Sequence, residues 1–292
     1  IAEVKNDPQI QIPIFGNDFP IIVLWLVTAA TFFTFYYGFI NIRAFPAALR
    51  LVFGSSEKTK GAQGEITHFQ ALSTAISGTV GIGNIGGVAV AISIGGPGAA
   101  FWLFLAGFLG MSTKFVECTL GVKYRKSNAD GSVSGGPMYY LEHCLSIRGY
   151  PGLGKLLGSF YAISLVIGCF GIGNMFQSNQ AYVQFLSITG GESSFFADKG
   201  WLFGIILAGA VGLVIIGGIK SIAKAASKIV PSMAGLYLVA ALIILILSYD
   251  SIDDAFKLII QSAFGLNSFA GGAIGALIIG FQRSAFSNEA GM

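Results

Sequence analysis

From Ala234 to Leu247 the chain carries one tyrosine and no charge, and with its flanks it reaches the roughly 20 apolar residues that a helix needs to span a bilayer. Such a run has few options. In water it would aggregate; in lipid each backbone amide must be bonded inside its own segment, which dictates a helix. The signal recurs at about 20–42, 66–95, 97–122, 157–187, 202–219, 229–249 and 268–292. Composition agrees, with 54% of residues hydrophobic and 11% charged, where a soluble domain carries about a quarter charged. The reading is an all-α membrane protein, a polytopic helical bundle forming a single transmembrane domain over residues 1–292. The chain opens at Ile1 without a signal-peptide pattern and stops at Met292 within an apolar segment, so it reads as a fragment.

Basic residues set the expected orientation. Arg43, Arg50, Lys58 and Lys60 share the loop 43–65; Lys123, Arg125, Lys126, Arg148 and Lys155 follow the third segment; Lys220, Lys224 and Lys228 fall in a loop 220–228. The opposite connections hold Lys5, Lys199 and Lys257 and are acidic at Asp250, Asp253 and Asp254. This bias places the amino terminus outside a cell membrane. The net charge of +3 then belongs to cytoplasmic loops and requires no nucleic-acid partner. Between the third and fourth segments a polar stretch carries a short interfacial helix, Met138 to Leu145. Glycines such as Gly168, Gly204, Gly209 and Gly212 read as sites of close helix packing. Cys118 and Cys169 read as small packed hydrophobes, and the three cysteines are too scattered for a metal site.

The second segment is interrupted by Gly81-Ile82-Gly83-Asn84-Ile85-Gly86-Gly87. Each glycine costs a helix about 1 kcal/mol relative to alanine. A broken helix at membrane depth is tolerated where it is buried in protein or lines a polar cavity, and there its loose dipoles can bind a small charged ligand. A half-helix resuming near Gly86 would offer free N–H groups to a carboxylate. One ending near Thr79 would offer carbonyls to a cation, with the side-chain oxygens of Ser77, Thr79 and Asn84 at the same level. A zwitterion with a co-bound sodium ion satisfies both ends; a glycine kink for tight packing is the alternative. The formal match to a dinucleotide fingerprint lacks the preceding strand and the later acid, and is set aside.

Two further segments carry polar groups at depth. Arg283-Ser284-Ala285-Phe286-Ser287-Asn288-Glu289-Ala290-Gly291 brings both charge signs into the last one, where the helix is expected to break. In the fourth, Asn174, Gln177, Gln180 or Ala181, and Gln184 recur at helical spacing as a polar stripe. Such amides either bond a neighbouring helix or line a wet path, and Gln177 is the best candidate for a ligand contact. The tetrad Gly-Ile-Gly-Asn recurs at 171–174, which reads as coincidence in a glycine-rich helix.

Gly95-Gly96-Pro97-Gly98-Ala99-Ala100-Phe101-Trp102, Gly135-Gly136-Pro137-Met138-Tyr139-Tyr140 and Phe286-Ser287-Asn288-Glu289-Ala290-Gly291 resemble the signatures of the alanine/glycine:cation symporter family, as does Asn84 in Val80-Gly81-Ile82-Gly83-Asn84. The resemblance implies sodium-coupled symport of small neutral amino acids, alanine and glycine, by alternating access. It also implies a leucine-transporter-type inverted repeat with discontinuous helices and one additional helix, here 20–42. The first repeat and the start of the second would be present, with 66–95 and 268 onward as the broken helices. By the same resemblance Gly81, Ile82, Gly83 and Asn84, joined by Gln177, would bind substrate. Asn84 and the Thr79 carbonyl would touch one sodium ion, and the Ser77 and Val80 carbonyls a second. Many members have threonine where this chain has Ile82, which bears on substrate choice or coupling if the hydroxyl takes part. No cofactor is implied beyond sodium as coupling ion, and the expected partners are the amino acid, sodium and membrane lipid. A channel or passive pore, with the glycines as filter, is the alternative function. An enzyme is disfavoured because no nucleophile–base pair stands out.

Overall fold

The computed structural model describes residues 11–14, 17–53, 66–129, 131–265 and 272–288. Helices dominate: α1 (Ile21–Tyr36), α2 (Ile40–Arg43), α3 (Phe45–Phe53), α4 (His68–Thr79), α5 (Ile82–Gly95), α6 (Gly98–Lys123), α7 (Pro137–Ile147), α8 (Pro151–Gly168), α9 (Phe176–Ile188), α10 (Gly200–Ile215), α11 (Gly218–Leu247), α12 (Ile252–Phe264) and α13 (Gly272–Asn288). Between α8 and α9 the backbone winds as a π-helix over Cys169–Met175. Two short antiparallel hairpins pair Gln11–Ile14 with Asn17–Pro20 and Lys126–Ser127 with Val133–Ser134. Among the described residues four stretches are long and apolar enough to cross a membrane: His68–Gly95, Gly98–Lys123, Pro151–Gly168 and Gly218–Leu247. Helices α1 and α10 are apolar but shorter.

The chain divides into two compact units, Ile1–Arg50 with Gly78–Val116 and Met233–Met292, and Leu51–Ser77 with Glu117–Ser232. In the first, α13 packs against α5, α12 and α1. Small residues set these approaches. A Cβ added to Gly95 would lie 3.0 Å from Ile279 Cβ, and one added to Gly280 would lie 2.8 Å from the Ala99 carbonyl oxygen and 2.7 Å from Trp102 Cβ. Helix α1 meets α6 through a buried hydroxyl pair: Thr34 Oγ1 donates to the Ala30 carbonyl at 2.7 Å and lies 3.0 Å from Ser112 Oγ, whose own hydroxyl can donate to it. Neither residue reaches the surface, and Thr34 gives the buried Ser112 hydroxyl a partner.

In the second unit α7 and α8 pack along one another. Pro137 and Pro151 each open a helix, where the missing N–H costs nothing. Gly154 and Gly158, one turn apart on α8, leave room for the α7 backbone: a Cβ would come within 2.9 Å of the Glu142 carbonyl oxygen and 2.7 Å of that of Met138. Tyr182 of α9 donates its hydroxyl to the carbonyls of Phe196 and Ala197 at 2.7 and 2.9 Å, which fixes the turn before α10.

On α7, burial pushes the Tyr140 phenol up from 10.0 to about 12, and the Glu117 carboxylate adds to the shift. The folded protein keeps this phenol neutral, while an unfolded chain loses the proton above 10.0. Its contribution to stability is therefore full below pH 10 and is lost as pH climbs towards 12. Alkaline unfolding should be shallower in Tyr140→Phe, read as melting temperature against pH for the two proteins.

Several expectations need correction. The stretch 220–228 is not a loop but the opening of α11, which places Lys220, Lys224 and Lys228 one turn apart on one face while Ala223, Ala226 and Val230 are buried. Alanine and lysine are good helix formers, and the basic face hid the pattern from a hydropathy reading. The presumed connections at 43–65 and 250–267 contain α3 and α12. Asp253 and Asp254 sit in the first turn of α12, where they complement its dipole. Around Gly168, Gly204, Gly209 and Gly212 an added Cβ meets nothing within 4 Å, so these glycines do not mark close packing here. Cys118 and Cys169 are exposed. The break expected from Arg283 is absent over the described residues, since α13 stays helical through Asn288. No glycine or proline falls between Arg283 and Asn288, and Glu289 to Gly291 lie outside the described residues.

Candidate functional site

The apolar stretch from His68 is interrupted, but over less chain than the glycines suggest. Helix α4 ends at Thr79, Val80 and Gly81 leave the helical path, and α5 resumes at Ile82 rather than near Gly86. Gly81 takes extended torsions, φ −146° and ψ −158°. Packing on α13 keeps α5 helical through Gly83, Gly86 and Gly87, tertiary contact outweighing propensity.

Asn84 closes the turn. Its Oδ1 accepts the Gly81 N–H at 3.0 Å, while its own backbone N–H donates to the Gly81 carbonyl at 3.1 Å. This is the side-chain half of a capping box, with the third residue of the helix reaching back to the cap. The first turn of α5 therefore comprises Ile82, Gly83 and Asn84, where the Ile82 and Gly83 amides precede the first intrahelical bond and the dipole is positive. A carboxamide oxygen has two lone pairs, so the bond to Gly81 leaves Asn84 Oδ1 one more.

Asn84 also lines a cleft of about 350 Å³ within the first unit. Leu103, Phe104, Gly107, Phe108 and Met111 of α6 form its apolar wall, with Asn84 of α5 and Ser284 of α13 as its polar lining. Gly107 provides the room, an added Cβ lying 3.9 Å from Ser284 Oγ. Helix α6 is anchored beside this wall by Asn41, whose Nδ2 donates to the Phe108 carbonyl at 3.1 Å.

The other sequence candidates are placed as follows. Thr79, Val80, Gly81, Ile82, Gly83 and Asn84 fall together at the interruption in the first unit. Ser77, in the last turn of α4, belongs to the second unit, and its hydroxyl bonds the Thr74 carbonyl at 2.7 Å. Gln177 is half-buried in the first turn of α9, also in the second unit. The repeated tetrad at 171–174 lies within the π-helix, whereas the first copy departs from α-helix only at Gly81 and continues into α5. Ser284 was not among the sequence candidates. Its signal was the polar cluster 283–289, which does not say which side chain turns inward.

The model of the "Sodium:alanine symporter family" matches residues 11–292. The chain belongs to the sodium:alanine symporter family. It is 43% identical over 276 residues to the "Sodium/alanine symporter AgcS" of Methanococcus maripaludis, covering 94% of this chain and 58% of that protein. It is 34% identical over 274 residues to the "Probable sodium/glutamine symporter GlnT" of Bacillus subtilis, covering 93% and 54%. It is 35% identical over 268 residues to the "Amino-acid carrier protein AlsT" of the same organism, covering 91% and 54%. The chain thus spans little more than half the length of these curated relatives. Membership of a transporter family, with four long apolar stretches, makes it a multi-pass membrane protein.

Proposed function

We propose that the whole protein is a secondary active transporter that couples entry of a small neutral amino acid, alanine or glycine, to sodium by alternating access. The observation that carries this reading is the interruption at Val80–Gly81 inside an otherwise apolar, membrane-length stretch. Backbone dipoles exposed there face opposite ways. The amides of Ile82 and Gly83 suit the substrate carboxylate, with Gly81 beside them giving its own N–H to Asn84, and the carbonyls of Thr79 and Val80, with Asn84 Oδ1, suit sodium, to which the Ser77 carbonyl is assigned as well. Gln177 is assigned a substrate contact. The inverted-repeat fold and a cell membrane location with the amino terminus outside belong to the same proposal.

The relatives' names support sodium coupling, one naming alanine and another glutamine, so substrate size is where members are expected to differ. The test is uptake of radiolabelled alanine by the full-length protein in vesicles. An inward sodium gradient should raise the initial rate at least roughly tenfold, which corresponds to about 1.4 kcal/mol. Equal rates with and without sodium would remove the coupling.

A further inference from the structure

Helix α11 opens with Lys220, Lys224 and Lys228, one turn apart and all exposed, while the buried Ala223, Ala226 and Val230 lie on another face. The described protein does not meet their charge. No acidic residue occurs between Asp198 and Asp250, so α11 offers no carboxylate one turn away. None of the three lysines makes an ion pair with a described residue. The same helix fixes their depth. From Ile229 to Tyr249 the chain carries no charge, a length of about 30 Å at the α-helical rise, which matches the hydrocarbon core of a bilayer. Lys228 therefore stands at the edge of that core, with Lys224 about 6 Å and Lys220 about 12 Å farther out. The headgroup layer adds only about 5–8 Å on each side. Lys224 and Lys228 fall within it, and Lys220 lies beyond.

We infer that Lys224 and Lys228 bind the phosphodiester headgroup of an anionic phospholipid. The inference goes beyond the transport reading and needs only that the chain spans a membrane. Charge complementarity selects the occupant. A zwitterionic headgroup carries its own ammonium, which two lysines repel, whereas an anionic one brings uncompensated negative charge to the level of their ammonium groups. The flexible four-carbon stems let both heads reach one phosphate while the stems lie along the apolar boundary. A dissolved phosphate shares this charge but has no acyl chains to hold it at that depth.

The test titrates the purified full-length protein in neutral detergent with dioleoylphosphatidylglycerol or dioleoylphosphatidylcholine and reads the melting midpoint at each concentration. Phosphatidylglycerol should reach half-maximal stabilisation at a concentration roughly twentyfold lower, each lysine counting for about fivefold. Lys224→Gln combined with Lys228→Gln should remove that preference, and the paired Lys→Arg changes, which keep the charge, should retain it. Lys220→Gln alone should shift the phosphatidylglycerol titration by less than about twofold, because it sits outside the headgroup layer and is screened. Inorganic phosphate at the same concentrations should leave melting unchanged. The site is overturned if wild type shows no headgroup preference, or if the double Gln variant keeps one. An equal loss in Lys220→Gln would replace it with diffuse attraction to a charged surface, and stabilisation by phosphate alone would make the ligand a soluble anion. A lower melting midpoint of the double Gln variant in phosphatidylcholine would assign the lysines to carboxylates of the rest of the protein instead.

Discussion

Asn84→Ala should abolish sodium activation of alanine uptake while sparing most of the protein in the membrane. The side chain holds the Gly81 N–H at 3.0 Å, and its Oδ1, at the edge of the cleft, is the oxygen proposed for sodium. Loss of the Gly81 bond resembles loss of a helix cap, at about 1 kcal/mol, which a folded membrane protein withstands. The proposed sodium contact is not replaceable by a methyl group. We expect sodium to accelerate uptake less than twofold in the variant, against at least roughly tenfold in wild type, with membrane abundance above half. Initial rates across a sodium titration, normalised to quantified protein, check this. Normal sodium activation in Asn84→Ala would remove the residue from the site.

Gly98→Val is expected to have the largest effect on folding. Gly98 opens α6 at its crossing with α12, where an added Cβ would lie 2.5 Å from Ala263 N and from Ser262 C, and 2.6 Å from the Ser262 carbonyl oxygen. All three are backbone atoms, so no side-chain rotation relieves the clash. The crossing is pinned on either side. Trp102 Nε1 donates to the Ala263 carbonyl at 3.2 Å, and the Phe264 ring packs edge-on against Phe101 and Trp102 at 5.1 and 5.5 Å. Forcing the helices apart forfeits these contacts together, and we expect a loss of about 3 kcal/mol or more. Thermal unfolding of the purified protein should show a large fall in midpoint, or the variant should fail to accumulate. Gly107→Ala serves as control, because its new methyl meets only Ser284 Oγ at an ordinary 3.9 Å. A Gly98→Val protein melting with wild type would mean that α6 and α12 do not cross as described.

Much of the architecture was readable because lipid solvation allows so few solutions. An uncharged run of membrane length fixes the helix at 229–249, an apolar one carrying only Lys114 and Glu117 fixes that at 97–122, and Gly135-Gly136-Pro137 marks the start of α7. Amphipathic helices escaped. In α12 the apolar residues come every third or fourth position between charges, which averages to an unremarkable window. The interruption was visible as a glycine cluster, but its extent was not, since contact with α13 rather than propensity decides that Gly83, Gly86 and Gly87 stay helical. Asn84 was legible as a polar residue at depth; Ser284 was not, because which side chain of a polar cluster borders a cleft is a property of packing. The second Gly-Ile-Gly-Asn, dismissed in the sequence as chance, coincides with a local change of winding that composition alone does not reveal.

That wider coil at Cys169–Met175 has a geometric result for the amides that follow it. Accommodating a surplus residue in one loop of backbone alters the azimuth of everything downstream by about 100°, the angular step of a single α-helical residue. The bearing of Gln177 and Gln184 is thereby uncoupled from the apolar side of α8, although they share one nearly continuous rod. Tightening the coil to ordinary pitch would swing that row of carboxamides round the axis like the bits of a key, without unpacking α8 from α7.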